Sequence, residues 1–241
     1  MTLQQLLSPV RRAITDFGMI EDGDKIAVGL SGGKDSAVLL RVLKAYQRFS
    51  PEKFEITAIT VDMNAGADYA PMSKFCADLG VPFVLEKTEL YQIIFEERKE
   101  KNPCSLCSKM RRGALNSVLL REGCNKLALG HHADDVAETL LLSLIYEGRL
   151  STFKPKSFMS RSGVTLIRPL IYSDEKDISA FAKSDNIPIV HNPCPANHVT
   201  NREYMKNLIR SLSKDIPIAG DNIKNAIFHP DRNNLWDDDK D

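Results

Sequence analysis

Lys25-Ile26-Ala27-Val28-Gly29-Leu30-Ser31-Gly32-Gly33-Lys34-Asp35-Ser36 runs apolar to a serine, turns on two glycines and then carries a lysine. Residues 25–30 predict a short buried strand, and Val38, Leu39, Leu40, Val42 and Leu43 predict a helix directly after the turn. Gly32 and Gly33 have no side chains, so backbone N–H groups can close on a phosphate. The following helix adds the positive end of its dipole. Ser31 and Ser36 bring hydroxyls and Lys34 a point charge, while Asp35 suits a helix cap or a Mg²⁺ ligand.

Three commoner loops do not fit this stretch. A Walker A loop needs glycine at 28 and serine or threonine at 35, where Val28 and Asp35 stand. Ser31 occupies the place of the second glycine of the dinucleotide fingerprint. Gly29-Leu30-Ser31-Gly32-Gly33 matches the nucleophile elbow of serine hydrolases in letters. That scaffold, however, builds its oxyanion hole partly from a loop upstream, and only 28 residues precede Gly29.

Working outward, apolar residues at helical spacing mark residues 3–17, with Pro9 as a point of kinking and Gly18 as the stop. Further strands are expected at 56–61, 82–85, 126–129 and 164–167. Helices are expected near 71–79, 91–100, 104–122, 134–146, 174–184, 202–212 and 222–228. This alternation, with nearly all-apolar strands, predicts a parallel α/β sheet with helices on both faces. Ligands of such sheets bind beyond the carboxyl ends of the strands. Those ends carry residues 31–36, Asp62 and Gly130-His131-His132-Ala133-Asp134-Asp135. The expected organisation is an N-terminal helix to residue 20, a nucleotide-binding domain over 21–215, and a helical extension with an acidic tail over 216–241.

The chain of 241 residues is long enough to bury a core without staples, so a metal site would serve function rather than folding. Its 32 basic and 32 acidic residues cancel, which argues against a passive RNA-coating protein but leaves room for a local basic face. No apolar run is long enough to span a bilayer, and the N-terminus has neither a basic start nor an apolar signal core. A cytoplasmic protein with no membrane partner is expected.

In that compartment five cysteines do not make a disulfide framework. Cys76 and Cys124 read as small core residues. Cys104-x-x-Cys107 opens a helix, where thiolate is favoured, and Asn192-Pro193-Cys194-Pro195 supplies a third thiol followed by proline. Three thiolates suit a 4Fe–4S cluster with one iron open to an external ligand. They suit zinc equally, with His191 or His198 as the fourth ligand.

The run from Ile26 to Ser36 resembles the PP-loop of the ATP pyrophosphatase superfamily, whose members split ATP between the α and β phosphates and transfer AMP to a substrate oxygen. The resemblance implies a Rossmann-like adenine nucleotide alpha hydrolase fold. It extends to Pro103-Cys104-Ser105-Leu106-Cys107-Ser108-Lys109-Met110-Arg111-Arg112-Gly113, to Leu129-Gly130-His131-His132-Ala133-Asp134-Asp135 and to Arg168-Pro169-Leu170. These are similar to stretches of the bacterial tRNA 2-thiocytidine synthetases (the TtcA family). That family implies a 4Fe–4S cluster on Cys104, Cys107 and Cys194, with ATP, Mg²⁺ and tRNA as the remaining requirements. It also implies a homodimer. Residues 195–198 differ from that family and are similar to the tRNA 2-thiouridine synthetases, which leaves the base open.

On this reading Leu30, Ser31, Gly32, Gly33, Lys34, Asp35 and Ser36 hold the phosphates, Asp62 reaches the ribose or Mg²⁺, and Gly130 approaches the adenine. Asp135 contributes to Mg²⁺ or orients the nucleotide, and Asp134 is either a partner in that or the helix N-cap. Arg111, a turn beyond Cys107, steadies the leaving phosphate or contacts RNA. Sulfur would come from a cysteine desulfurase or inorganic sulfide. Arg149, Lys154, Lys156 and Arg161, with Lys109 and Arg112, form a candidate RNA face, where Phe153 and Phe158 would stack on bases. A non-thiolating ligase, or an ATP-binding regulatory module with structural zinc, would explain the loop but give the cysteines no part in turnover.

Overall fold

The computed structural model describes residues 1–98, 103–190 and 201–233. Helix α1 (Leu3–Asp16) is closed at its start by a capping box between Thr2 and Gln5, and it runs through Pro9. It buries Leu6, Leu7, Val10, Ala13 and Ile14 on one face. Then come β1 (Lys25–Gly29), α2 (Lys34–Tyr46), β2 (Glu55–Asp62), α3 (Ala70–Asp78) and β3 (Phe83–Lys87). A π-helical turn (Gln92–Glu97) leads to α4 (Pro103–Arg121) and β4 (Lys126–Ala128). The order continues with α5 (Ala133–Glu147), β5 (Lys156–Met159), β6 (Val164–Ile167), α6 (Glu175–Ser184), α7 (Asn201–Asp215) and α8 (Ala219–Phe228).

The six strands lie in the order β3-β2-β1-β4-β6-β5. All neighbours pair parallel except β5, which lies antiparallel on β6 at the edge. The expected parallel sheet is thus extended by one strand that periodicity did not predict. Ala27, Ile59 and Leu127 share one face and pack on Val118 and Leu119 of α4. Helix α2 packs on β1, α1 and α6 to form the other layer. The apolar residues of β1 are therefore covered from both sides, as parallel sheets require. Cys76 and Cys124 are core residues as expected, and burial pushes the Cys76 thiol up to about 11.

At the amino ends of β1 and β4, Lys126 Nζ lies 2.6 Å from Asp24 Oδ2, both side chains almost fully buried. Asn125 Nδ2 donates to Asp24 Oδ1 at 2.8 Å, and the Glu21 N–H donates to Oδ2. Removing one partner of a buried pair strands the other charge, at about 3–5 kcal/mol. Asp24→Ala should therefore lower the melting temperature by roughly 10 °C in a thermal unfolding experiment. A shift within a degree of wild type would show that the pair contributes little to the fold.

Two compact units divide the chain: Met1–His132 with Lys154–Asn197, and Ala133–Phe153 with His198–Asp241. The first holds the sheet. In the second, α5, α7 and α8 pack on one another. No helix among the described residues is long and apolar enough to cross a membrane.

Candidate functional site

Strand order reverses between β1 and β4, whose connections leave toward opposite sides of the sheet. Such a switch point leaves a crevice beyond the carboxyl ends of the two strands. Residues 30–36 follow β1 and residues 129–132 follow β4, so two of the expected segments flank this crevice.

The loop is anchored and self-bonded. The Leu30 N–H donates to the Ile59 carbonyl at 2.8 Å, and Thr60 Oγ1 donates to the Leu30 carbonyl at 3.0 Å. The Ser31 N–H donates to Ser36 Oγ at 3.1 Å, and Ser36 Oγ donates to the Gly33 carbonyl at 3.0 Å. Gly33 N–H donates to Ser31 Oγ at 3.3 Å. The two hydroxyls thus stitch the turn together and set its curvature. Gly32 holds φ at +88°, in the region that favours glycine. Its carbonyl accepts from the Val190 N–H at 2.9 Å. Helix α2 then starts at Lys34 with Gly33 as N-cap, so Asp35 lies in the first turn rather than at the cap.

Lys34 Nζ lies 3.0 Å from Asp35 Oδ1 and 3.1 Å from Glu175 Oε1. Burial opposes its charge, but the two carboxylates outweigh burial and hold its pKa above the usual lysine value. Across the crevice, Gly130 approaches the loop backbone more closely than any other residue type permits. A Cβ there would stand 2.9 Å from Asp35 C and Ser36 N. The buried His132 places Nε2 3.9 Å from Asp35 Oδ1. His131 Nδ1 accepts from Arg168 Nε at 3.3 Å, which leaves Nε2 to carry the proton of the neutral ring. Arg168 also donates to the Lys154 carbonyl, and burial pulls its pKa down to about 10.

The same sheet edge carries the thiol of Cys107. Met63 follows the last residue of β2, and Cys107 Sγ lies 3.6 Å from Met63 Sδ. Cys107 packs with Leu106 and Met110 against Val61, Met63, Leu90 and Ile94. The Cys104 side chain and the whole of Cys194 lie outside the described residues, as do His191 and His198. Near the end of β2, burial and the Asp62 carboxylate push the Tyr69 phenol up, and the Arg111 guanidinium pulls the other way. Asp62 and Arg111 therefore each lie within electrostatic reach of Tyr69. Asp62 Oδ1 itself accepts from the Asn64 N–H at 2.9 Å.

Asp134 and Asp135 belong to the second unit, in the first turn of α5; Asp134 is inside the helix rather than its N-cap. Asp135 Oδ1 accepts from Arg202 Nη1 at 2.9 Å, and Arg202 Nη2 donates to Thr139 Oγ1 at 3.3 Å. This unit also holds a cavity of about 440 Å³, and none of the residues expected to carry chemistry lines it. Of the residues read as an RNA face, Lys156 is used within the fold. It donates to the Gly18 carbonyl and pairs with Glu21 at 3.3 Å. Arg149 pairs with Glu147, whereas Lys109, Arg112, Lys154, Arg161 and Phe158 are largely exposed. Sequence reasoning missed Glu175, Arg202 and Tyr69, each a lone polar residue in a helix or loop with no motif around it. Arg168 was visible only as part of a resembling triplet.

Comparison with known proteins agrees with this geometry. A PP-loop domain family model matches residues 3–215. A tRNA-cytidine(32) 2-sulfurtransferase of Geobacter sulfurreducens is 38% identical over 228 residues, covering 93% of this chain and 89% of the relative. One from Syntrophotalea carbinolica is 39% identical over 230 residues, covering 94% and 89%. Among solved structures, the U34-tRNA thiolase NcsA from Methanococcus maripaludis, determined with its [4Fe-4S] cluster, superposes with a TM-score of 0.77. It is 27% identical and covers 95% of this chain and 78% of that one. The chain belongs to the PP-loop domain family and, within it, to the tRNA-cytidine(32) 2-sulfurtransferases.

Proposed function

We propose that this chain is an ATP-dependent tRNA sulfurtransferase that replaces the C2 oxygen of cytidine 32 with sulfur, the reaction its relatives are named for. One observation carries this beyond simple ATP binding: Cys107 Sγ lies 3.6 Å from Met63 Sδ, directly past β2. The Cys-x-x-Cys helix thus starts at the carboxyl edge that also holds the phosphate loop. A ligase or regulatory ATP module has no use for thiols there.

ATP lies along this edge with its β and γ phosphates on residues 30–36, where backbone N–H groups, Lys34 and the dipole of α2 meet them. The Gly130 backbone, which already closes on the first turn of α2, approaches the adenine, and Asp35 and Asp62 are the carboxylates of this unit that would meet Mg²⁺ or ribose. His131, held with its proton on Nε2, is a hydrogen-bond donor at the same edge. The base oxygen attacks the α phosphorus, forming an O–P bond as the bond to pyrophosphate breaks. Hydrosulfide then adds at C2 and the C2–O bond breaks, so AMP departs with the original oxygen. Arg111 offers a cation for that leaving phosphate.

Cys107, partly buried among Leu106, Met110, Met63 and Ile94, offers a soft sulfur ligand of the kind an iron–sulfur cluster takes. Cys104, Cys107 and Cys194 would hold it, and a 4Fe–4S cluster with an open iron supplies a place to bind sulfide. The sulfur comes from a cysteine desulfurase or inorganic sulfide, and the enzyme works as a cytoplasmic homodimer. Residues 21–215 carry the chemistry, between an N-terminal helix that packs on α2 and a helical segment from 216.

Deletion of the gene should remove 2-thiocytidine from tRNA nucleosides measured by mass spectrometry, and the wild-type gene should restore it. The NcsA likeness favours 2-thiouridine as the second reading. Loss of 2-thiouridine with 2-thiocytidine intact would select that reading, and no change in either would remove both.

A further inference from the structure

Lys34 does not wait for phosphate uncommitted. Its ammonium is bracketed by Asp35 at 3.0 Å and by Glu175 at 3.1 Å, two residues that differ in kind. Asp35 is its chain neighbour and moves with the loop. Glu175 arrives from 141 residues away, in the first turn of α6. Its position is set by packing rather than by the loop: α6 buries Ile178, Phe181 and Ala182, and α2 and α6 pack together. Arg41 Nε and Asp185 Oδ2, at 2.9 Å, tie the other end of the helix pair. Both Lys34 and Glu175 are only about one-fifth to one-quarter exposed, at 25% and 21%, so solvent screens this pair less than a surface bridge.

A carboxylate fixed this close to the loop lysine has a consequence for anything that binds there. A phosphate oxygen on Lys34 Nζ must either displace Glu175 or share the ammonium with it. Sharing places two like charges within about 6 Å in a half-buried site, where repulsion is appreciable. We infer that Glu175 acts as a built-in counter-anion that competes with the departing pyrophosphate for Lys34 and so drives product release. This rests on the reading of residues 31–36 as the pyrophosphate cradle. Glu175 is then a positioning residue that lowers phosphate affinity on purpose, because a cradle that held pyrophosphate too well would stall turnover. Its effect on substrate is smaller than on product, since ATP also gains its adenosine contacts.

The test is pyrophosphate binding to the full chain by calorimetry with Mg²⁺ present, followed by steady-state kinetics. Glu175→Gln removes the charge and keeps the shape, so it should bind pyrophosphate about tenfold more tightly and lower both kcat and the KM for ATP. Glu175→Asp, with the charge withdrawn by one methylene, should fall between Gln and wild type. In a Lys34→Met background the Gln substitution should change nothing, because the competition has lost its object. Thermal melts of each variant separate these effects from loss of fold. Unchanged or weaker pyrophosphate binding by a folded Glu175→Gln overturns the inference while leaving the cradle intact. Wild-type protein that binds neither pyrophosphate nor ATP would overturn the cradle itself, and this inference with it.

Discussion

Replacing Gly130 with alanine should reduce ATP-dependent turnover by roughly a hundredfold or more, with most of the loss in nucleotide binding and positioning. The added Cβ would meet Asp35 C and Ser36 N at 2.9 Å and the Asp35 carbonyl oxygen at 3.0 Å. These are backbone atoms in the first turn of α2, so no side chain can swing aside. Either the segment after β4 retreats or the helix start is pushed out of line. Both alter the N–H groups that would face the phosphates, and electrostatic stabilisation depends on their alignment. Gly113 is the matched control: it lies in α4, and nothing beyond its own helix backbone and chain neighbours comes within 4 Å of a Cβ there. Gly113→Ala should be neutral or slightly stabilising, because alanine favours helix. Calorimetric ATP affinity and kcat/KM for both variants give the comparison. A Gly130→Ala enzyme with wild-type ATP affinity would show that the crevice does not need this close approach.

Cys107→Ser and Cys194→Ser should each bring tRNA thiolation down roughly a thousandfold or below detection, since ligand sets act as units. After anaerobic purification the variants should lose iron and acid-labile sulfide, and they should keep ATP binding, because the phosphate loop uses neither residue. Cys76→Ala separates this from a general sensitivity to lost thiols. Cys76 is fully buried and its thiol stays neutral, so its removal should affect stability and not chemistry. Serine variants that retain iron and activity would remove the cysteines from the reaction. A wild-type chain that takes up zinc and no iron would replace the cluster with a structural site.

Much of the fold was legible because its signals are local. The apolar strand, two glycines and helical spacing over residues 25–43 act on each other within a few residues, and they reappear as β1, the turn and α2. The core cysteines were equally plain, since Cys76 sits on the inward face of a short helix. Strand β5 was not legible: Lys156-Ser157-Phe158-Met159 has no apolar run, and it becomes a strand only because β6 offers an edge to pair with. Lys156, read as a base for RNA, is claimed by Glu21 and the end of α1 for the same reason.

The sequence by itself determined that this chain makes an α/β sheet, turns its backbone on two glycines after β1, and brings thiols in a Cys-x-x-Cys pair. Glycine content, side-chain period and residue chemistry are properties of short stretches, so they survive without the fold. Tertiary structure alone decided that β1 lies beside β4, that Gly130 touches the start of α2, that Cys107 meets Met63, and that Glu175 reaches Lys34. Each of these joins residues far apart in the chain. Their meeting depends on how whole helices and strands pack, and no stretch of sequence a few residues long contains that information.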